Sequence, residues 1–153
     1  MNTHNIADPL ANSKAPRLIA VSQARANALI EDAKQRAFAV WGLDGRKLNN
    51  DESIFEHFSQ VMKFPDYFGH NWDAMDECLR ELSWAPAKGH LLVINDIDAL
   101  FLKSPDSYQS LLDSLRFSGK HWHEWRDQKI PFKVLLVTNS AEIAATADAS
   151  DLA

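Results

Sequence analysis

Two stretches, Leu91-Leu92-Val93-Ile94 and Val134-Leu135-Leu136-Val137, decide the fold class. Each is a short apolar run without polar alternation, the pattern of a strand covered on both faces rather than one with a wet side. Between them, Pro105 to Trp125 reads as a helix, with Leu111, Leu115, Ser118, Trp122 and Trp125 on one row and Tyr108 and Leu112 beside it. That spacing predicts Trp122 and Trp125 as core side chains. Upstream, Arg17 to Val21 and Phe38 to Leu43 read as further strands, the second closed by the turn signal Leu43-Asp44-Gly45. Ala26, Leu29, Ile30 and Ala33 recur at helical spacing after Ser22, a natural cap. After Asn50, the residues Ile54, Phe55, Phe58, Val61 and Met62 form a helical stripe that ends at Phe64-Pro65. Strands separated by helices imply an α/β protein, with a mostly parallel sheet, right-handed crossovers and helices as cover.

The bulk properties agree with a single folded unit. A chain of 153 residues that is 46% hydrophobic, with five tryptophans, has enough apolar mass for a core. The lone Cys78 cannot form an intramolecular disulfide, which fits a reducing, cytoplasmic setting. No apolar run approaches the ~18 residues of a membrane span, and Met1 to Ala15 lacks a signal-peptide core. Residues 1–15 are expected to be a disordered lead, 16–140 the domain, and 141–153 a loose acidic tail. The net charge of −5 argues against a nucleic-acid surface and leaves a basic partner open. Its distribution is uneven: residues 66–81 carry five acids against Arg80, residues 141–153 carry three acids, and the rest of the chain sums to +2.

The first concentration lies in Phe64-Pro65-Asp66-Tyr67-Phe68-Gly69-His70-Asn71-Trp72-Asp73-Ala74-Met75-Asp76-Glu77-Cys78-Leu79-Arg80-Glu81-Leu82. A helix from about Asn71 to Leu82 puts Trp72, Met75, Leu79 and Leu82 on an apolar stripe and Asp73, Glu77 and Glu81 on another face. Like charges at that spacing weaken a helix by roughly 0.2–0.5 kcal/mol per pair, partly offset by Asp73 at the positive end of the helix dipole and by an Asp76–Arg80 pair. A carboxylate row kept at that cost suits docking against a basic cleft. Gly69 is expected to supply a turn, and Tyr67 fits either packing or protein contact. Cys78, beside the stripe, reads as a core thiol.

Other chemistries find little footing. Asp73 and Glu77 as an acid/base pair would need a cleft that the helix does not supply. His121 and His123 stand two apart and face away from each other, so no metal site is expected. Gly42-Leu43-Asp44-Gly45 lacks dinucleotide-binding spacing, and no phosphate-loop motif occurs, so no cofactor is expected.

The run F-P-D-Y-F-G-H-N-W-D-A-M-D-E-C-L, residues 64–79, resembles the P-x-Y-x-G-x-N-x-D-A-L-x-D-C-L motif of the barstar family, intracellular inhibitors of small secreted ribonucleases, with weaker similarity over about residues 37–139. The resemblance implies a three-layer fold around a small parallel sheet of three to four strands. It also implies a monomeric, non-enzymatic inhibitor that docks on a basic ribonuclease. By position in the motif, Tyr67, Gly69, Asn71, Asp73, Asp76 and Glu77 are the implied partner-binding residues, with Glu77 standing in for a substrate phosphate. Glu77 replaces the usual Asp, and Asp76 stands where family members can carry an aromatic. An acidic contact from a later helix is also implied, with Glu124 as the candidate. The alternative partner is another toxin or a regulatory protein bound through the same face.

Overall fold

A computed structural model describes residues 8–14, 16–125 and 130–153. Its elements run β1 (Leu18–Val21), α1 (Gln23–Gln35), β2 (Ala39–Asp44), a 3-10 turn at Gly45–Lys47, α2 (Asp51–Met62), α3 (Trp72–Glu81), β3 (His90–Asn95), α4 (Asp98–Lys103), α5 (Pro105–Glu124), β4 (Phe132–Val137), α6 (Ala141–Ala144) and β5 (Ala149–Asp151). The strands form one parallel sheet in the order β2-β3-β4-β1-β5. β3 and β4 lie inside the sheet, and their unalternating sequences follow from that position: Leu92, Ile94, Val134 and Leu136 face one apolar cluster, and Leu91, Val93 and Leu135 face the other. α1 covers the second cluster through Ala26, Leu29 and Ala33. The first cluster takes side chains from α2, α3, α4, α5 and α6. The layers are therefore helix, sheet, helix.

Five strands exceed the three to four expected. The additional edge comes from the C-terminal stretch, where residues 141–153 were expected to be loose. Ile143 of α6 is fully buried, and β5 pairs in parallel with β1. Asp148 explains the attachment: its Oδ2 accepts the backbone N–H groups of Arg17 and Leu18, each at 2.9 Å, and Arg116 reaches Oδ1 at 3.5 Å. Asp151 pairs with Arg25 at 3.1 Å. Two of the tail's three acids are thus fasteners to the sheet and its helices rather than charges on a loose tail.

The expectation for residues 1–15 falls partly, at 1–7 and 15, outside the described residues. Residues 8–14 are a packed strap and not a disordered lead. Leu10 is buried against Ile19, Val21 and α1, Asp8 pairs with Arg36 at 3.0 Å, and Ser13 Oγ meets His123 Nδ1 at 2.9 Å. Lys133, buried in β4, donates from Nζ to the carbonyls of Lys14 and Pro16. Such capture of buried polar groups is what permits a lysine in an interior strand. Among the described residues, no helix is long and apolar enough to cross a membrane.

Trp122 is buried, as its row predicts, but Trp125 is 74% exposed. Trp122 already packs on His90 and Phe132, the first residues of β3 and β4, with ring centroids 5.6 and 6.4 Å away. One turn further along α5 no strand remains to cover the next ring.

Candidate functional site

The acidic helix α3 is set in place from both ends. Asn50 and Ser53 form a reciprocal cap that starts α2, and Lys63 ends it in a left-handed conformation. In the loop that follows, Phe64 and Phe68 turn inward and stack edge-to-face at 4.9 Å. With these two rings as anchors the intervening Tyr67 points outward, 75% exposed. The left-handed residue of the loop is His70, with φ 52°, and not Gly69, which has no positive φ. A Cβ on Gly69 would meet only ordinary contacts, 3.4 Å from Asn71 Nδ2 and 3.6 Å from Ala74.

Asn71 then caps α3: its Oδ1 accepts from the Ala74 N–H at 2.8 Å, and its Nδ2 donates to the Gly69 carbonyl at 3.3 Å. Of the expected apolar stripe, Met75, Leu79 and Leu82 are buried in the core together with Cys78, while Trp72 is half-buried against it. Burial pushes the Cys78 thiol up to about 11, as suits a packing residue. Three tryptophan N–H groups fix the surroundings. Trp72 donates to Asp51 Oδ2 at 3.2 Å, Trp84 to the Met62 carbonyl at 3.1 Å, and Trp122 to the Leu79 carbonyl at 2.9 Å. Asp51 also accepts from Ser107 Oγ at 2.6 Å, so one carboxylate ties α2, α3 and α5 together. Nothing in the linear spacing marks Asp51 for this part, since its partners lie 21 and 56 residues away.

Asp73, Glu77 and Glu81 stand exposed on α3. Asp76 does not join them. It turns toward α5, half-buried, and accepts a short hydrogen bond from Ser114 Oγ. Burial raises its pKa above the ordinary carboxylate value, opposed by that hydrogen bond and by nearby Arg80. The expected Asp76–Arg80 side-chain pair takes a different form: Arg80 Nε donates to the Asp76 main-chain carbonyl at 3.1 Å, and the guanidinium lies over Phe117, 5.3 Å from the ring centroid. Between α3 and α5 opens a cavity of about 340 Å³ lined by Trp72, Asp76, Ser110, Asp113, Ser114 and Phe117. Glu124 lies further along α5, 3.9 Å from Lys120.

Of the six residues implied at the partner face, the fold thus sets Tyr67, Asp73 and Glu77 in solvent on one loop and helix, uses Asn71 as a cap, keeps Gly69 exposed in the loop and draws Asp76 into the inter-helix cavity. Fold and site together define an α/β protein that presents a rigidly anchored acidic helix at its surface.

The sequence model of Barstar (barnase inhibitor) matches residues 38–137, more than half of the chain, and the protein belongs to this family. The matched segment spans β2 to β4 and includes all of α3. No curated protein matches the chain. Among solved structures, the Aeropyrum pernix ORC2 protein, determined in ADPNP-ADP complexes, is similar with a TM-score of 0.57 and 13% identity, over 89% of this chain and 40% of that one. This chain therefore spans less than half the length of that protein, and the similarity is one of fold.

Proposed function

We propose that the protein inhibits a small basic ribonuclease by laying the acidic face of α3 and its preceding loop over the enzyme's cationic active site, without catalysing a reaction itself. The observation that carries this reading is the exposed row Asp73, Glu77 and Glu81 on a helix whose opposite side is fully buried. A carboxylate row held on a packed element loses little freedom on binding, and complementary charge speeds encounter with a basic partner. Glu77, in mid-helix, is the carboxylate best placed to substitute for an RNA phosphate. Membership of a family described as barnase inhibitors supports the same partner class.

The similarity to a nucleotide-bound protein is one of fold. β1 passes to α1 through Ser22 alone, whose hydroxyl accepts the Arg25 N–H at 3.1 Å and donates to the Ala153 carbonyl at 2.9 Å. The helix start that would face a phosphate is thus held by the chain's own residues.

The test is RNA cleavage by barnase titrated with wild type, Asp73→Ala and Glu77→Ala. Truncating a desolvated interface charge typically costs about 2–5 kcal/mol, a general range that draws in part on the barnase–barstar pair itself. Wild type is expected to inhibit in a salt-sensitive manner, and each variant to inhibit far less while keeping its helical circular dichroism. Cleavage unaffected by wild type at low salt would sink the ribonuclease reading. Glu77-dependent capture of a different toxin would then assign the face to the alternative partner.

A further inference from the structure

We propose that two exposed rings, Phe117 on α5 and Trp125 at its C-cap, form a cradle for a basic side chain of the partner and extend the contact surface beyond α3. This rests on the reading of the α3 face as the docking side for a basic protein. α5 buries one row against the sheet and α3, yet its outward side carries Phe117, 49% exposed, and its C-cap is Trp125, 74% exposed. Phe117 is a shared wall of two adjoining hollows. One is the α3–α5 cavity, where Asp76 and Asp113 supply carboxylates; the other, of about 170 Å³, is lined by Phe117, Lys120, His121, Glu124 and Trp125. Each hollow therefore combines an aromatic face with a carboxylate.

That combination fits a guanidinium or ammonium group. The cation lies over the ring's negative face within about 6 Å while its N–H groups reach the carboxylate. The chain itself shows both halves of the chemistry. Arg80 lies over Phe117 with its guanidinium carbon 5.3 Å from the centroid, and Lys120 leans toward Glu124 at 3.9 Å. The latter is an exposed pair of the kind that contributes little, so an incoming arginine can replace it. Charge complementarity selects the occupant: the first hollow adjoins the acidic helix, and the two together carry three carboxylates, Asp76, Asp113 and Glu124, against the single lysine Lys120, which suits a basic protein better than the apolar face of a second copy.

The experiment uses the full chain and two probes, hexa-arginine peptide and barnase. In NMR titration with hexa-arginine the Trp125 indole N–H is expected to shift saturably, in wild type and in Glu77→Ala. The double variant Phe117→Ala/Trp125→Ala, exposed at both positions, is expected to fold normally and to bind either probe about five- to tenfold more weakly. The loss in barnase binding should persist at high salt, since part of it is apolar burial. An indole signal unmoved by peptide that shifts the α3 amides would overturn the cradle, as would barnase binding equal in wild type and double variant, which leaves the α3 reading intact. Conversely, a Trp125 response without barnase inhibition supports the cradle and removes the ribonuclease reading. A concentration-dependent dimer abolished by the double variant would give the rings to a second copy and overturn the proposal.

Discussion

Asn71 shows how one side chain in the motif region serves the scaffold. Its amide closes the first turn of α3 and holds the loop through Gly69, so Asn71→Ala should lower stability by about 0.5–2 kcal/mol in urea unfolding. Asn71→Asp retains a capping oxygen and should stay near wild type. Any change in partner binding by Asn71→Asp then reports contact rather than folding. Asp76 makes a complementary case. Residue type and spacing pointed to Arg80 as its partner, but the carboxylate takes Ser114, 38 residues away, because α5 packs against that side of α3. Likewise the loop's left-handed backbone falls on His70 and not on the glycine that composition favours. Which residue carries a turn depends on where its neighbours are anchored, here Phe64 and Phe68.

At the scale of elements, the helices with a clear apolar period were legible almost to the residue: the stripe after Asn50 became α2, and the stripe of Trp72, Met75 and Leu79 became α3. The buried runs around Leu91 and Val134 became β3 and β4. β5 was not legible, because a three-residue strand of Ala, Ser and Asp has no periodicity or β-propensity of its own. It exists through its pairing with β1 and through Asp148. Asp148→Ala removes the acceptor for two backbone N–H groups and should destabilise the fold by about 1–3 kcal/mol. Hydrogen exchange should locate the loss in residues 149–151 and at Leu18; unchanged exchange there would return this stretch to a loose tail.

At the scale of the whole molecule, two buried titratable groups shape the dependence of stability on pH. His90 is buried between Trp41 and Trp122, accepts the Trp41 indole N–H at 3.3 Å, and has its pKa lowered by burial to about 4. Below the unfolded value near 6.5 the unfolded chain takes up a proton that the folded chain refuses, so stability falls between pH 6.5 and about 4, by roughly 3 kcal/mol from this residue. Urea midpoints across this range should fall for wild type and fall less for His90→Phe. Lys133 acts with the same sign at alkaline pH. Burial lowers it to about 8 from 10.5, so the folded state sheds its proton first and stability rises between those values.

The sequence by itself determined the α/β class, the alternation of strands and helices, the buried role of Cys78 and the position of an acidic helix behind the loop that carries Tyr67. Those features follow from local periodicity and charge, which are properties of neighbouring residues. Only the tertiary structure decided that Asp76 leaves the acidic row, that two of the tail's acids fasten β5 to the sheet, that Asp51 joins three helices, and that Trp125 and Phe117 remain in solvent. Each of these depends on which distant element lies beneath a side chain, and residue spacing along the chain carries no record of that distance.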